Sequence, residues 1–202
     1  MPKVGGDERR RWWWAAGACT VFVIAFGLFL FLNPAGPTAT TWVDDLGTLM
    51  VAGVATAGAV RKVGRVAGRQ RTGWIWLAAA GVSWTIGEGI WSWYAVVLSE
   101  TVPSPSMADF FYLLGSVPLA VVGVLLLASK QGEVTRALRY ALDGLIIAGA
   151  LLFVSWSTAL GVVYRVGGGD LLARLVDLAY PVSDIVLTTA ALAALSLSLI
   201  HI

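Results

Sequence analysis

Glu88 is the residue of this sequence best placed to do chemistry. It is the one acid in the apolar stretch 74–98, where it lies within Trp84-Thr-Ile-Gly-Glu-Gly-Ile-Trp91. A charged side chain at the centre of a membrane-spanning helix costs about 2.5–3.5 kcal/mol on insertion scales, so such a group normally has a partner or a task. Gly87 and Gly89 would let another backbone approach the carboxylate. Proton or ligand binding is one interpretation, and a hydrogen bond to a neighbouring Ser, Thr or Tyr without further role is the other.

Several of the remaining acids lie where helices are expected to begin, which favours a capping role. Thr41-x-x-Asp44 and Ser106-x-x-Asp109 have the spacing of a capping box, in which hydroxyl and acid satisfy free backbone N–H groups. Negative charge at a helix N-terminus is also favoured by the helix dipole. The predicted structural caps are Thr41, Asp44, Ser106, Asp109 and Asp143. Capping explains Asp45 and Asp184 less well.

The acids and nearby aromatic residues together form a predicted sensing region for a proton or an unidentified small ligand. Trp84 and Trp156 lie deep in their apolar runs and would line a cavity with Glu88, whereas an interfacial belt equally explains Trp91 and Tyr180. The predicted sensing residues are Glu88, Trp84, Trp91, Asp45, Asp109, Trp156, Tyr180 and Asp184.

Composition indicates what must hold this region in place. Of 202 residues, 58% are hydrophobic and 13% charged, and mean hydropathy is +0.79. A soluble domain averages about 25% charged residues, and no globule of this size could cover so much apolar surface. We therefore predict an all-α, polytopic membrane protein with six transmembrane helices arranged as three helical hairpins. Residues 1–11 form a basic cytoplasmic tail, and the membrane domain, 12–199, has spans at about 12–32, 42–60, 74–98, 110–128, 144–164 and 175–199.

The distribution of cations predicts the orientation in the membrane. Twelve of the 14 Lys and Arg residues fall in the tail and in the loops after the second and fourth spans, leaving Arg165 and Arg174 on the opposite side. Cytoplasmic loops carry an excess of Lys and Arg, so both termini are predicted to be cytoplasmic, in a multi-pass protein of the cell membrane.

The sequence also hints at an internal duplication. Val82-Ser-Trp84 recurs as Val154-Ser-Trp156, and Pro105-x3-Asp109 is echoed by Pro181-x2-Asp184. Spans three and four would then correspond to spans five and six as helical hairpins.

No pattern in the sequence indicates catalysis or a cofactor. His201 is the only His and Cys19 the only Cys, so no metal-ligand set is expected, and the basic residues are assigned to topology rather than to nucleic acid. We expect no enzymatic activity from this segment. Residues 197–202 stop within a span without a basic flank, and we interpret them as a truncation artefact.

Three motifs carry a resemblance to a known family: Pro103-Ser-Pro-Ser-Met-Ala-Asp-Phe-Phe-Tyr-Leu114, Arg139-Tyr-Ala-Leu-Asp-Gly144 and Tyr180-Pro-Val-Ser-Asp184. Over about Trp42 to Leu195, the chain resembles the N-terminal multi-helix membrane domain of actinobacterial signalling proteins with cytoplasmic GGDEF, often GGDEF–EAL, output domains. Those output domains make or degrade cyclic di-GMP. The resemblance implies a sensory or anchoring role for the membrane part, and it supplies neither a ligand nor a catalytic residue.

The leading hypothesis is thus a membrane domain that couples an outer-face or intramembrane signal to a cytoplasmic output domain. The sixth span would pass the change to that domain or to the partner in a homodimer. Two alternatives stay open: a fragment of a proton- or solute-coupled transporter with Glu88 as the coupling group, and an inert anchor in the lipid bilayer.

Overall fold

The computed structural model of the chain describes residues 6–128, 146–166 and 171–199. These residues are almost entirely helical, without a β-strand, and the predicted all-α class is confirmed for this part of the chain. The helices are α1 (Gly6–Leu32), α2 (Pro37–Val63), α3 (Gly68–Ser92), α4 (Met107–Ala128), α5 (residues 146–166) and α6 (Leu171–Leu199).

Three of these helices contain or continue into π-helical turns. Trp93–Leu98 extends α3, Phe110–Ser116 lies within α4, and Trp156–Leu160 lies within α5. In a π-helix each backbone bond spans five residues instead of four, and such turns are frequent at functional sites. The turn within α4 is the one that shapes the site described below.

Compact packing divides the chain into two units, Met1–Gly47 and Thr48–Ile202. In the first unit, the Phe22 and Phe26 rings stack with centroids 5.9 Å apart. The Phe26 ring lies against Gly47, where a Cβ atom would come within 2.8 Å of it. Asn33 adopts a positive φ of 46° at the turn after α1, and its Oδ1 accepts a hydrogen bond from Thr40 Oγ1 at 2.5 Å.

In the second unit, α3 packs closely along α4 through small residues. A Cβ atom on Gly73 would meet the Leu127 side chain at 2.8 Å, and one on Gly123 would meet Leu77 at 2.7 Å. Glycine at these positions lets the two helix backbones approach, as in helix pairs inside membranes. The α4 helix also packs against α6, so α4 lies between α3 and α6.

The burial pattern is the reverse of that in a soluble domain. Among the described residues, the buried side chains are small or polar, with Tyr112 the one large exception. Large apolar side chains such as Phe110, Leu114 and Leu125 are instead more than half exposed. So many exposed large apolar side chains are typical of a protein that contacts a membrane or a partner.

Three described helices are long and apolar enough to cross a membrane: Pro37–Val63, Met107–Ala128 and Leu171–Leu192. Gly17–Leu32 and Ile146–Thr158 are shorter apolar stretches. The structure therefore supports three of the six predicted spans by length and composition. The third predicted span is helical, but it is not among the three, and its sequence is rich in Trp, Gly and Ser besides Glu88.

Several helices begin a turn or more before the predicted spans. The second helix begins at Pro37 rather than 42, because proline is favoured in the first turn, where its missing N–H is not needed. The third helix begins at Gly68 rather than 74 and includes cations that were assigned to a loop. The first helix begins at Gly6, so part of the predicted basic tail is helical. The start predicted for the fifth span, residue 144, lies outside the described residues.

Candidate functional site

The Glu88 carboxylate accepts hydrogen bonds from two neighbouring side chains. Trp84, one turn earlier on α3, donates its Nε1–H to Oε1 at 3.0 Å. Thr48 on α2 donates its hydroxyl to Oε2 at 3.2 Å. The first bond fixes the carboxylate on its own helix, and the second ties α3 to α2.

Tyr112 of α4 places an aromatic ring directly against this group. Its ring centroid lies 4.9 Å from that of Trp84, with the planes tilted by 58°. The ring also rests on Gly87, where a Cβ atom would come within 2.7 Å of Cε1. The Tyr112 phenol in turn lies within electrostatic range of the Glu88 carboxylate. Gly87, immediately before the acid, is therefore the position that admits the ring.

Asp109 is a second acid, buried at the start of α4, and it accepts from two directions. Ser106 donates its backbone N–H to Asp109 Oδ2 at 2.6 Å and its hydroxyl to the same oxygen at 3.0 Å. From α6, the Tyr180 hydroxyl donates to Asp109 Oδ1. The carboxylate thus closes the first turn of α4 and also attaches α6 to it.

The two acids are joined by the tyrosine rings. Tyr112 and Tyr180 meet edge to face with centroids 6.3 Å apart, a favoured aromatic geometry. We call the resulting set the acid–aromatic network. Its members are Thr48, Trp84, Glu88, Ser106, Asp109, Tyr112 and Tyr180.

The chemistry of the network is that of two carboxylates acting as acceptors. Each of the five hydrogen bonds described above has a neutral donor, namely a hydroxyl, an indole N–H or a backbone N–H. Buried polar groups are costly unless they are hydrogen-bonded, and in a low dielectric such bonds strengthen. The network therefore links α2, α3, α4 and α6 through interactions that depend on the state of two acids.

The local backbone of α4 explains how Asp109 and Tyr112 come to share a face. Asp109 ends the first α-helical turn, and the π-helical segment begins at Phe110. The wider π-helical turn changes the carbonyl pairing, and Ser83 Oγ of α3 donates to the Phe111 carbonyl oxygen at 2.8 Å. This bond between helices supports the region next to Tyr112.

The structure brings together four of the predicted sensing residues, Glu88, Trp84, Asp109 and Tyr180. Trp91 is 39% exposed on α3, and Asp184 is exposed on α6. Asp45 is buried but belongs to the first unit of the chain. That Trp156 lines a cavity with Glu88 stays a prediction. Trp156 lies on α5 with its ring 5.9 Å from that of Tyr164, and it is 53% exposed.

The predicted caps have three different outcomes. The Ser106–Asp109 capping box is confirmed. The Thr41–Asp44 box is wrong, because α2 begins at Pro37 and places Thr41 inside the helix, where its hydroxyl donates back to the Pro37 carbonyl oxygen at 3.1 Å. Asp143 lies outside the described residues.

Sequence reasoning missed Tyr112 and Thr48 as members of the site. Tyr112 lies three residues after Asp109 in the sequence, a spacing that places both on one helix face. That spacing, together with Gly87 beside Glu88, is the signal that a large ring faces the acid. No comparable signal marks Thr48, because its role depends on how α2 packs against α3.

Comparison of the chain with models of protein families, with curated proteins and with solved structures finds no match. Within the described residues, no three His, Cys, Asp or Glu side chains are grouped as a metal ion would require.

Proposed function

We propose that this chain is a membrane sensory domain that couples a signal at the acid–aromatic network to a cytoplasmic output domain of the cyclic di-GMP type. The observation that carries the proposal is the network itself. Carboxylates among apolar helices are costly, and a chain that served only as an anchor would gain nothing from two of them. Here the two acids tie four helices together.

Three features support a membrane location. Three helices have the required length and apolarity, the buried side chains are small or polar, and large apolar side chains face outward. The uneven distribution of Lys and Arg supports cytoplasmic N- and C-termini with six spans.

The signalling part of the proposal draws on the resemblance to GGDEF-associated membrane domains. Two of the three motifs that carry this resemblance meet in the structure. Tyr180, which opens Tyr180-Pro-Val-Ser-Asp184, donates to Asp109 of the motif that begins at Pro103. The contact gives both motifs a shared physical role, the attachment of α6 to α4.

In the proposed mechanism, a ligand, lipid or proton changes the hydrogen bonding of Glu88 or Asp109. A signal can shift the equilibrium between two helix packings only by its difference in affinity for them. Because Glu88 joins α2 to α3 and Asp109 joins α4 to α6, a change at either acid alters which helices are tied. The α6 helix is the last described element, and it would carry the change toward the cytoplasm.

The test replaces Glu88 by Gln in the gene that encodes this chain and measures cyclic di-GMP in cells. Glu100→Gln is the matched control, since Glu100 is exposed beyond the end of α3. We expect an altered cyclic di-GMP level for Glu88→Gln and none for Glu100→Gln. Loss of solute uptake with unchanged cyclic di-GMP would instead favour a transporter, and no effect in either assay would favour an inert anchor.

A second test concerns the gene and the orientation. Under the proposal, the gene is expected to encode a GGDEF-type domain downstream of this segment, and further apolar spans there would contradict the proposal. A reporter that is active only in the cytoplasm is expected to be active when it is fused to either terminus, and a reporter that is active only outside the cytoplasm is expected to be inactive at both. An externally exposed terminus would overturn the predicted topology.

A further inference from the structure

The turn between α2 and α3 carries a dense group of cations that the proposed sensing site does not use. Five basic residues occur within residues 61–71, and this segment contains no acid. All five are exposed. We call this group the basic turn; its members are Arg61, Lys62, Arg65, Arg69 and Arg71.

The backbone of the basic turn is well defined. Arg61 and Lys62 lie in the last turn of α2, and the Arg65 N–H donates to the Lys62 carbonyl oxygen at 3.0 Å. Gly68 then adopts a positive φ of 58°, a conformation that glycine tolerates, and α3 begins. Cations from two helix ends are therefore presented at one reversal of the chain.

One of the five cations has a structural role. Arg69 donates its Nε–H to the Leu126 carbonyl oxygen at 3.1 Å, in the last turn of α4, where carbonyl groups lack helical partners. Arg69 thus joins the basic turn to α4. The other four cations are the ones that a binding surface would use.

The neighbouring residues set the depth of this turn in a bilayer. Trp76 on α3 is 37% exposed, five residues after Arg71, which is about 7.5 Å along a helix. Exposed Trp residues collect at the level of lipid headgroups. With Trp76 at that level, the basic turn lies at the phosphates or just outside them.

We propose that the basic turn binds the phosphate groups of anionic phospholipids. The inference rests on the membrane location in the proposed function, but not on signalling. Orientation in the membrane requires only an excess of cations, whereas here four exposed cations are concentrated in one turn without an acid between them. Each Lys or Arg near an anionic membrane surface strengthens attraction by about fivefold.

The experiment counts phospholipids bound to the purified full chain in neutral detergent by native mass spectrometry. Phosphatidylglycerol and phosphatidylcholine of equal chain length are added together. The wild type is expected to retain phosphatidylglycerol preferentially. In the variant R61Q/K62Q/R65Q/R71Q, which leaves Arg69 in place, the ratio of bound phosphatidylglycerol to bound phosphatidylcholine is expected to fall at least about tenfold. This follows from the effect of each cation.

Two control variants separate charge at this turn from charge in general. R165Q/R174Q neutralises the two cations assigned to the other side of the membrane and is expected to keep the preference within about twofold, since neither lies in the basic turn. R61K/R65K/R71K keeps the charge and is expected to retain the preference. Equal losses in the first control and in the quadruple variant would overturn the proposal.

Paired variants and competition by inorganic phosphate test the proposal further. If the quadruple variant fails to fold, the pairs R61Q/K62Q and R65Q/R71Q are measured, and an unchanged preference in both contradicts the proposal. Excess inorganic phosphate is expected to leave the lipid preference in place, and its abolition by phosphate would overturn the assignment to lipid. Alkaline extraction of cell membranes tests the membrane location separately. Failure of the lipid-binding proposal can therefore be distinguished from failure of the membrane location.

Discussion

The tripeptide Val-Ser-Trp occurs in α3 as residues 82–84 and in α5 as residues 154–156, and the two copies make different contacts. In α3, Ser83 bonds to the Phe111 carbonyl of α4, and Trp84 bonds to Glu88. In α5, the Trp156 ring packs at a tilt against Tyr164 of its own helix. Four residues after each Trp the sequence has Glu88 in one copy and Leu160 in the other. The acid, and not the tripeptide, decides whether a network forms.

The acids of the following helices show the same contrast. Asp109 of α4 is buried and accepts from Ser106 and Tyr180, whereas Asp184 of α6 is exposed. Of the two hairpins that the sequence pairs as a duplication, the one formed by α3 and α4 supplies both acids of the acid–aromatic network, and α6 of the other supplies Tyr180. Paired substitutions at corresponding positions test how far the two copies differ.

The largest difference is expected between Asp109→Ala and Asp184→Ala. Removing the buried Asp109 carboxylate leaves the Tyr180 hydroxyl and both the N–H and the hydroxyl of Ser106 without this acceptor. We expect a loss of about 2–4 kcal/mol in the free energy of unfolding, from the loss of these hydrogen bonds to a carboxylate. Asp184→Ala, at an exposed position, should change it by less than about 0.5 kcal/mol. Unfolding in mixed detergent micelles, followed by circular dichroism, measures the free energy of unfolding of both variants. Equal losses in the two would show that the two acids do not differ in their contribution to stability.

The next largest effect is expected at the glycines that flank Glu88. Gly87→Ala places a Cβ atom within 2.7 Å of the Tyr112 ring, so the ring must move, at a cost of about 1–3 kcal/mol. Gly89 has open space around it, and Gly89→Ala should stabilise α3 by up to about 1 kcal/mol through helix propensity. The same unfolding measurement applies. A stable Gly87→Ala protein would show that Tyr112 is not held against α3.

Much of the fold was predictable because it follows from local apolar patterns. Long apolar runs separated by Pro, Gly and cations predicted helices, and the described part of the chain is helical. Helix ends were less predictable, because they depend on individual residues. Pro37 starts α2 a turn earlier than the apolar pattern suggested, and that shift removes the expected cap at Thr41.

The site was predictable only where its chemistry is visible in one segment. Glu88 stands out as an acid in an apolar run, and Ser106-x-x-Asp109 has a spacing with a known local geometry. The partnership of Asp109 with Tyr180 spans 71 positions in sequence and depends on how α6 packs on α4. Apolar helices without a strong polar stripe give little information on which faces meet.

A smaller difference is expected between Trp84→Phe and Trp156→Phe. Phe keeps an aromatic ring at each site but removes the indole N–H, which at Trp84 donates to Glu88. We expect a loss of about 1–2 kcal/mol for Trp84→Phe, since the bond is to a charged acceptor. Trp156→Phe preserves a ring against Tyr164 and should cost less than about 0.5 kcal/mol. If Trp156→Phe proves the more costly, the indole N–H of the second Val-Ser-Trp segment has a polar partner of its own.

The smallest difference is expected between the two serines of the tripeptides. Ser83→Ala removes the hydroxyl that donates to the Phe111 carbonyl, a neutral bond in the π-helical part of α4. Its loss should cost about 0.5–1 kcal/mol, near the average for hydrogen bonds between membrane helices. Ser155→Ala should cost less than about 0.5 kcal/mol, as is usual for a partly exposed position. Hydrogen exchange of the backbone in residues 110–116 adds a local measure: faster exchange only in Ser83→Ala would show that this hydroxyl holds the π-helical turn, and with it Tyr112, in place.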